Sequence, residues 1–352
     1  MPRIAILPGD GIGPEITAEV IKILEVLRSG GASLEWHTFD YSADSYLKTG
    51  KAMPDGAFEE LSSFDAIFLG AFGDPRVPDS AHARDILLGL RFGLDLYVNL
   101  RPAKLMLDSL TPLKGMTLGD IDLVVVRENT EGAYVGAGGF LRRNTPEEIA
   151  IQEAVATRRG VERILRYAFE YARTRRRKKL AMADKHNALR FVSDLWYRLF
   201  QQVSAEYPDV EARHLFIDNL CYQLVRDPSQ FDVVVTGNLF GDILSDLGAA
   251  LAGGLGLAPS ANINPETGRG LFEPVHGSAP EIAGSGEANP AAGILSLAMM
   301  LDFLGMADAA ASVESAVNSC ILAGQVTRDL GGTLGTSAAG DAVRRAILYG
   351  ES

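Results

Sequence analysis

Leu7-Pro8-Gly9-Asp10-Gly11-Ile12-Gly13-Pro14-Glu15 is the stretch on which the fold reading turns. Residues 4–7 before it are uninterruptedly apolar, as in a strand buried on both faces. Residues 8–13 read as a turn, and Pro14 stands where the first helical residue belongs. Ile16, Val20, Ile23, Leu24 and Leu27 then recur at helical spacing. A strand, a glycine turn and a helix in this order invite a dinucleotide-binding reading. The G-x-G-x-x-G fingerprint fails, however, because Pro14 takes the place of its third glycine and no acidic strand end follows at the right distance. Taken alone, the segment is a structural turn between a strand and a helix, and not a Rossmann signature.

Working outward, residues 66–69, 123–126, 180–183 and 233–235 read as further buried strands, and the segments around 161–173, 239–251 and 291–304 as helices. Such alternation predicts an α/β architecture with helices flanking a sheet. A chain of 352 residues predicts about two domains and a core that needs no disulfide. Its net charge of -12 argues against nucleic acid as the main partner, while a local arginine cluster can still bind a small anion. Two cysteines without a CxxC spacing exclude a cysteine zinc site and fit a reducing compartment. The N-terminus lacks the apolar stretch of a signal peptide and no segment is apolar enough to span a membrane, so a cytoplasmic protein is expected. The charged run at 173–179 reads as the solvated end of a helix.

Several polar groups stand at apolar strand ends or on one helix face. Asp242 and Asp246 lie four residues apart in Asn238-Leu239-Phe240-Gly241-Asp242-Ile243-Leu244-Ser245-Asp246, so a helix puts both on one face. Two such hard oxygen donors suit magnesium or manganese, or else are carboxylates favoured by a helix N-terminus. Asp218 follows the apolar residues 215–217 and either joins that cluster or caps a helix starting at Asn219. Arg91, Arg101 and Arg127 can grip carboxylates with their planar forks, or form ion pairs. Tyr134 and Lys185 are candidate acid and base groups. Residues 272–290, which include Glu273-Pro274-Val275-His276-Gly277-Ser278-Ala279-Pro280-Glu281-Ile282, form a glycine- and proline-rich loop fit for a binding rim. His276 has no companion at metal-ligand spacing.

In conjunction these segments, with Asn99-Leu100-Arg101-Pro102 and Arg127-Glu128-Asn129-Thr130-Glu131-Gly132, resemble the β-decarboxylating dehydrogenases that act on isopropylmalate, isocitrate, homoisocitrate and tartrate or D-malate. The resemblance spans essentially the whole chain. It implies the isocitrate/isopropylmalate dehydrogenase-like fold, two domains around a mixed sheet. A large cofactor-binding domain would come from residues 1–99 and 252–352, and a small domain from 100–251. It implies a homodimer interlocked by an arm around residues 136–151, with Lys185 and Asp218 serving the neighbouring subunit's site. Arg91, Arg101 and Arg127 would hold substrate carboxylates, and Asp242, Asp246 and the partner's Asp218 a magnesium or manganese ion. Lys185 would take the hydroxyl proton and Tyr134 would protonate the enol. The nicotinamide cofactor would meet Ile12, Asn187, His276, Gly277, Ser278, Ala279, Pro280, Glu281, Ile282 and Asn289. NAD is expected over NADP because the carboxylate of Glu281 would repel a 2′-phosphate. Glu281 stands where relatives usually have aspartate, and Glu287 where they have an apolar residue.

Leu87 and Leu88 precede Arg91 on a predicted helix, where relatives that take tricarboxylates place polar groups. Two leucines suit an isopropyl substituent at about 0.8 kcal/mol per buried methylene, unless they pack inward as helix core. They favour 3-isopropylmalate as substrate and a place in leucine biosynthesis. Arg84 and the Arg-Glu-Asn-Thr-Glu-Gly motif keep tartrate or D-malate close behind, then isocitrate and homoisocitrate. A magnesium-dependent phosphoryl-transfer enzyme is the rival class, but no G-x-x-x-x-G-K-[ST] loop is present.

Overall fold

The computed structural model describes residues 1–350. Its strands are β1 (Arg3–Gly9), β2 (Glu35–Thr38), β3 (Ala66–Ala71), β4 (Val98–Lys104), β5 (Asp122–Glu128), β6 (Gly138–Leu141), β7 (Ile149–Gln152), β8 (Lys179–Asp184), β9 (Glu211–Phe216), β10 (Val233–Thr236), β11 (Pro259–Asn264) and β12 (Arg269–Pro274). The helices are α1 (Gly13–Ser29), α2 (Ala43–Thr49), α3 (Ala57–Ser62), α4 (Ala81–Gly93), α5 (Arg158–Thr174), α6 (Arg190–Ser204), α7 (Ile217–Arg226), α8 (Asn238–Ala252), α9 (Ala291–Phe303), α10 (Ala307–Leu322) and α11 (Thr336–Tyr349). The chain divides into two compact units: residues 1–96, 105–118 and 249–352 form the first, and residues 97–104 and 119–248 the second.

In the first unit the strand order is β2-β1-β3-β12-β11. β1 runs parallel to both β2 and β3, and β12 parallel to β3, while β11 and β12 are antiparallel. Ile4, Ala5, Ile6 and Leu7 are wholly buried, as expected of a strand covered on both faces. α1 begins one residue earlier than the sequence pattern suggests: Gly13 opens it and Pro14 is its second residue, where a missing N–H still costs nothing. Its Ile16, Val20, Ile23, Leu24 and Leu27 are buried on the helical stripe, each worth about 1.5–3 kcal/mol of transfer free energy.

In the second unit the order is β4-β5-β10-β8-β9. β4 is antiparallel to β5 and the remaining pairs are parallel. The valine runs of β5 and β10 are buried beneath α5, whose Thr157 cap accepts from the Gly160 N–H at 3.0 Å. β6 and β7 form a separate antiparallel hairpin.

The charged run at 173–179 is a solvated helix end only in part: Arg173 is exposed in the last turn of α5, as are Arg176 and Lys178 beyond it, but Arg175 and Arg177 are not. α5 stops at Thr174, and Arg175 turns back to Asp122 at 2.7 Å and to the buried Asp232 at 2.8 Å. Arg177 donates to the Ser229 and Asp122 carbonyls. The start of β5 and the turn before β10 present a buried carboxylate and backbone carbonyls, and guanidinium groups bind them.

Candidate active site

β4 and β5 place two arginines in the second unit. In their antiparallel register Arg101 lies opposite Val125, and Arg127 opposite Asn99. Arg127 is inside β5 rather than past its end, and is 1% exposed. So long a side chain can lie flat there because residue 241 of α8 is glycine: a Cβ at that position would come within 2.6 Å of the Arg127 Cγ.

α8 supplies the acidic partners. Asp242 and Asp246 are not in its first turn, so the helix N-terminus does not explain them. Arg127 Nη1 donates to Asp242 Oδ1 at 2.5 Å and Arg101 Nη1 to the same oxygen at 3.1 Å. The Tyr134 hydroxyl, on the turn Ala133–Val135, donates to Asp242 Oδ2 at 2.7 Å, and its ring lies 5.2 Å from the Arg127 guanidinium. Arg101 also reaches Ser245 Oγ at 2.8 Å and stands 3.8 Å from Asp246. Burial pushes the Asp246 carboxyl above its usual range, opposed by Arg101 and reinforced by the like charge of Asp242. Asn238 holds Arg127 Nε at 2.9 Å and the Glu131 carbonyl at 3.0 Å. The sequence reading missed Asn238 and Ser245, although Asn238, Asp242 and Ser245 follow one helical stripe.

Lys185 and Asp218 make a second cluster in this unit. Lys185 follows β8, and its Nζ donates to Asp218 Oδ1 at 2.5 Å. That bond, chiefly, holds the Asp218 carboxyl below its ordinary value. Asp218 does not cap its helix: α7 starts at Ile217, with Phe216 in the cap position. Among the described residues, no three acidic, histidine or cysteine side chains of one chain are grouped to hold a metal ion. Asp242 and Asp246 nonetheless fit a hard divalent cation, being two repelling carboxylates on one helix face with oxygen donors alone. Asn187 is exposed two residues beyond Lys185.

The first unit holds the remaining candidates. Arg91 on α4 is 8% exposed and donates to Glu273 Oε1 at 2.7 Å, an oxygen that also accepts from Asn262 Nδ2 at 2.9 Å. Leu87 is half-buried and packs against the core, so part of its surface serves the helix; Leu88 is half-buried as well. Arg84 is exposed and stands 3.6 Å from Asp85.

The glycine turn meets the loop after β12. The Ile12 N–H donates to the Ser278 carbonyl at 2.8 Å, and Ile12 packs with Ile16, Ala288, Ala279 and Ile282. Gly11 has φ +55°, and a Cβ there would stand 2.0 Å from the Ser278 carbonyl oxygen, so glycine is required. Ala279 is itself at φ +37°, a left-handed conformation uncommon outside glycine. His276 Nδ1 lies 3.0 Å from the Gly277 carbonyl, and burial lowers the imidazole pKa. Gly277, Pro280 and Glu281 are exposed along the loop, and Glu287 likewise. Asn289 Nδ2 donates to Asp329 at 2.9 Å.

The family model described as isocitrate/isopropylmalate dehydrogenase matches residues 3–343. The chain belongs to the isocitrate/isopropylmalate dehydrogenase family. It is 49% identical to the 3-isopropylmalate dehydrogenase of Thermobifida fusca, over 98% of this chain and 97% of that protein. It is 47% identical to that of Streptomyces coelicolor, over 96% and 99%. Among solved structures, isocitrate dehydrogenase from Methylococcus capsulatus superposes with a TM-score of 0.90 at 41% identity, covering 99% of both chains. A β-decarboxylating dehydrogenase from Thermococcus kodakarensis superposes with a TM-score of 0.80 at 34% identity, covering 99% of this chain and 96% of that one. Family membership makes the chain a decarboxylating dehydrogenase and fixes its α/β fold as the one expected from the resemblance. No helix among the described residues is long and apolar enough to cross a membrane.

Proposed function

We propose that this family member oxidises and decarboxylates 3-isopropylmalate to 2-oxo-4-methylpentanoate and carbon dioxide, using NAD and magnesium or manganese in the cytoplasm as a step of leucine biosynthesis. The observation that carries the chemistry is the Asp242 carboxylate, bound at once by two arginines and a tyrosine hydroxyl. Anion-binding, metal-ligating and proton-donating groups then belong to one cluster. The substrate assignment draws on relatives that bear that name and on Leu87 and Leu88.

Arg91, Arg101 and Arg127 grip the substrate carboxylates; Asp242 and Asp246, with the partner's Asp218, would hold the cation. When bound, the cation would supply positive charge favouring the alkoxide and later the enolate, and NAD would supply the hydride acceptor. The partner's Lys185 takes the hydroxyl proton as hydride leaves C2. The bond from C3 to its carboxylate then breaks, and its electron pair forms the enolate. Tyr134 returns a proton to C3. The first unit, which takes in most of residues 1–99 and 252–352 and adds 105–118, acts as the cofactor-binding domain, and the second, which makes up most of residues 100–251, as the dimer domain. Ile12, the loop from His276 to Ile282, Asn187 and Asn289 bind NAD, with Glu281 on the adenosine ribose.

The active form is a homodimer with shared sites. The β6–β7 hairpin exposes Phe140, Leu141, Ile149 and Ile151, and an isolated two-stranded hairpin is marginal in water. A second copy of the chain would cover it and contribute the third carboxylate. Tartrate or D-malate is the second reading and a tricarboxylate such as isocitrate the third; the exposed guanidinium of Arg84, one turn from Leu87 and Leu88, is the group that would meet a further carboxylate.

Asp242→Asn and Lys185→Met test the mechanism. Each is expected to lower kcat by at least about 10³-fold while circular dichroism stays unchanged, and a chelator should abolish wild-type turnover. Retained turnover in either variant removes that residue from the reaction.

A further inference from the structure

We infer that His214 is a positioning residue for Lys185, acting through Asp184; this rests on the role proposed for Lys185 above. Asp184 is the last residue of β8, and is 5% exposed. A carboxylate so placed is costly unless hydrogen bonds satisfy it. Its Oδ1 takes the His186 N–H at 3.1 Å and lies 2.8 Å from His214 Nε2. The first bond closes a turn across Lys185, the residue between its two ends. The Lys185 carbonyl accepts from Ala188 at 2.9 Å and Leu189 at 2.8 Å. The lysine backbone is thus held on both sides, and the orientation of the Asp184 carboxylate fixes where the chain starts toward Nζ.

His214 is what orients that carboxylate. In the parallel register of β8 and β9, Met182 pairs with His214 and Asp184 with Phe216, so the imidazole sits diagonal to Asp184. Tyr197 of α6 lies 5.0 Å from the His214 ring and 5.5 Å from that of His186, and Phe216 lies 5.7 Å from His214. An imidazole boxed by aromatic rings has little freedom to turn, and with its proton on Nε2 it donates to Asp184. β9 itself leads into α7 and so to Asp218, the group that Lys185 Nζ meets at 2.5 Å. One side chain therefore ties together the two strands that lead into Lys185 and Asp218, and sets the geometry in which that pair is presented.

The test uses the full-length enzyme with His214→Leu, His214→Gln and His214→Asn. The amide of glutamine reaches where Nε2 stood; that of asparagine falls short. In His214→Leu, kcat should fall by about 30-fold, below the roughly 100-fold attached to a 1 Å misplacement, with KM for both substrates unchanged. The primary deuterium isotope effect on hydride transfer should rise, and His214→Gln should restore most of kcat while His214→Asn does not. Crystal structures of the three variants give a readout independent of any hydroxy acid: Lys185 Nζ should be displaced in the leucine and asparagine forms and return in the glutamine form. Should the leucine form not fold, the glutamine and asparagine forms decide, since they differ only in reach. Unmoved Lys185 in the asparagine form, or equal kcat in the glutamine and asparagine forms, overturns the inference. A wild type inactive on every hydroxy acid would overturn the functional reading alone, leaving the crystallographic comparison to decide this one.

Discussion

Gly11 shows how one residue can carry more constraint than its neighbours in the motif. Its backbone is left-handed and the Ser278 carbonyl occupies the space a Cβ would need. Gly11→Ala is expected to push the 276–282 loop outward and raise KM for NAD by about tenfold or more, since a left-handed alanine alone costs roughly 1–2 kcal/mol. Steady-state kinetics with varied NAD checks it, and an unchanged KM would detach this turn from cofactor binding. At this scale the sequence showed the chemistry but not its partners. Asp242 and Asp246 were legible as a pair because helical spacing is a local property. That Arg127 would lie across Gly241, or that Asp184 would need His214, depends on strand register and on packing between distant segments, which no spacing encodes.

Elements were legible where hydrophobic period and turn chemistry agreed. β1 and α1 form around the glycine turn as their patterns predict, and the buried valines of β5 and β10 make parallel neighbours. The order of strands within each unit was not legible, because valine-rich strands are interchangeable in sequence. The charge run at 173–179 was read correctly for Arg173 but not for Arg175, because the partners of Arg175, Asp122 and Asp232, sit far away in the chain. The loop after β12 carries a prediction of its own. Burial lowers the His276 pKa from its ordinary 6.5, so the folded loop prefers a neutral ring. The unfolded loop then binds more protons below about pH 6.5, and the loop's stability falls as pH drops through that value and levels off below the depressed pKa. KM for NAD should rise between pH 7 and pH 5.5, and His276→Gln should flatten that rise. A rise of the same size in His276→Gln would place the titration elsewhere.

At the scale of the molecule, the apolar hairpin is the feature one chain does not explain. Phe140→Asp with Ile151→Asp should weaken self-association by at least about 100-fold in sedimentation equilibrium and lower turnover in parallel, since Lys185 and Asp218 would lose the site they serve. Full activity in the monomeric variant would show that each chain is complete by itself. Family and fold were readable from sequence through the conjunction of five motifs, none specific alone. The substrate was less so, because Leu87 divides its surface between the core and the outside.

The substrate is also the most direct test. Reduction of NAD should be followed with magnesium or manganese present, offering 3-isopropylmalate, D-malate, tartrate, isocitrate and homoisocitrate in parallel. The expected result is a kcat/KM for 3-isopropylmalate at least about tenfold above the others, the discrimination that buried methyl groups provide. A preference for isocitrate would transfer the decisive contact from the leucines to Arg84, and no turnover of any of the five would contradict the proposed reaction.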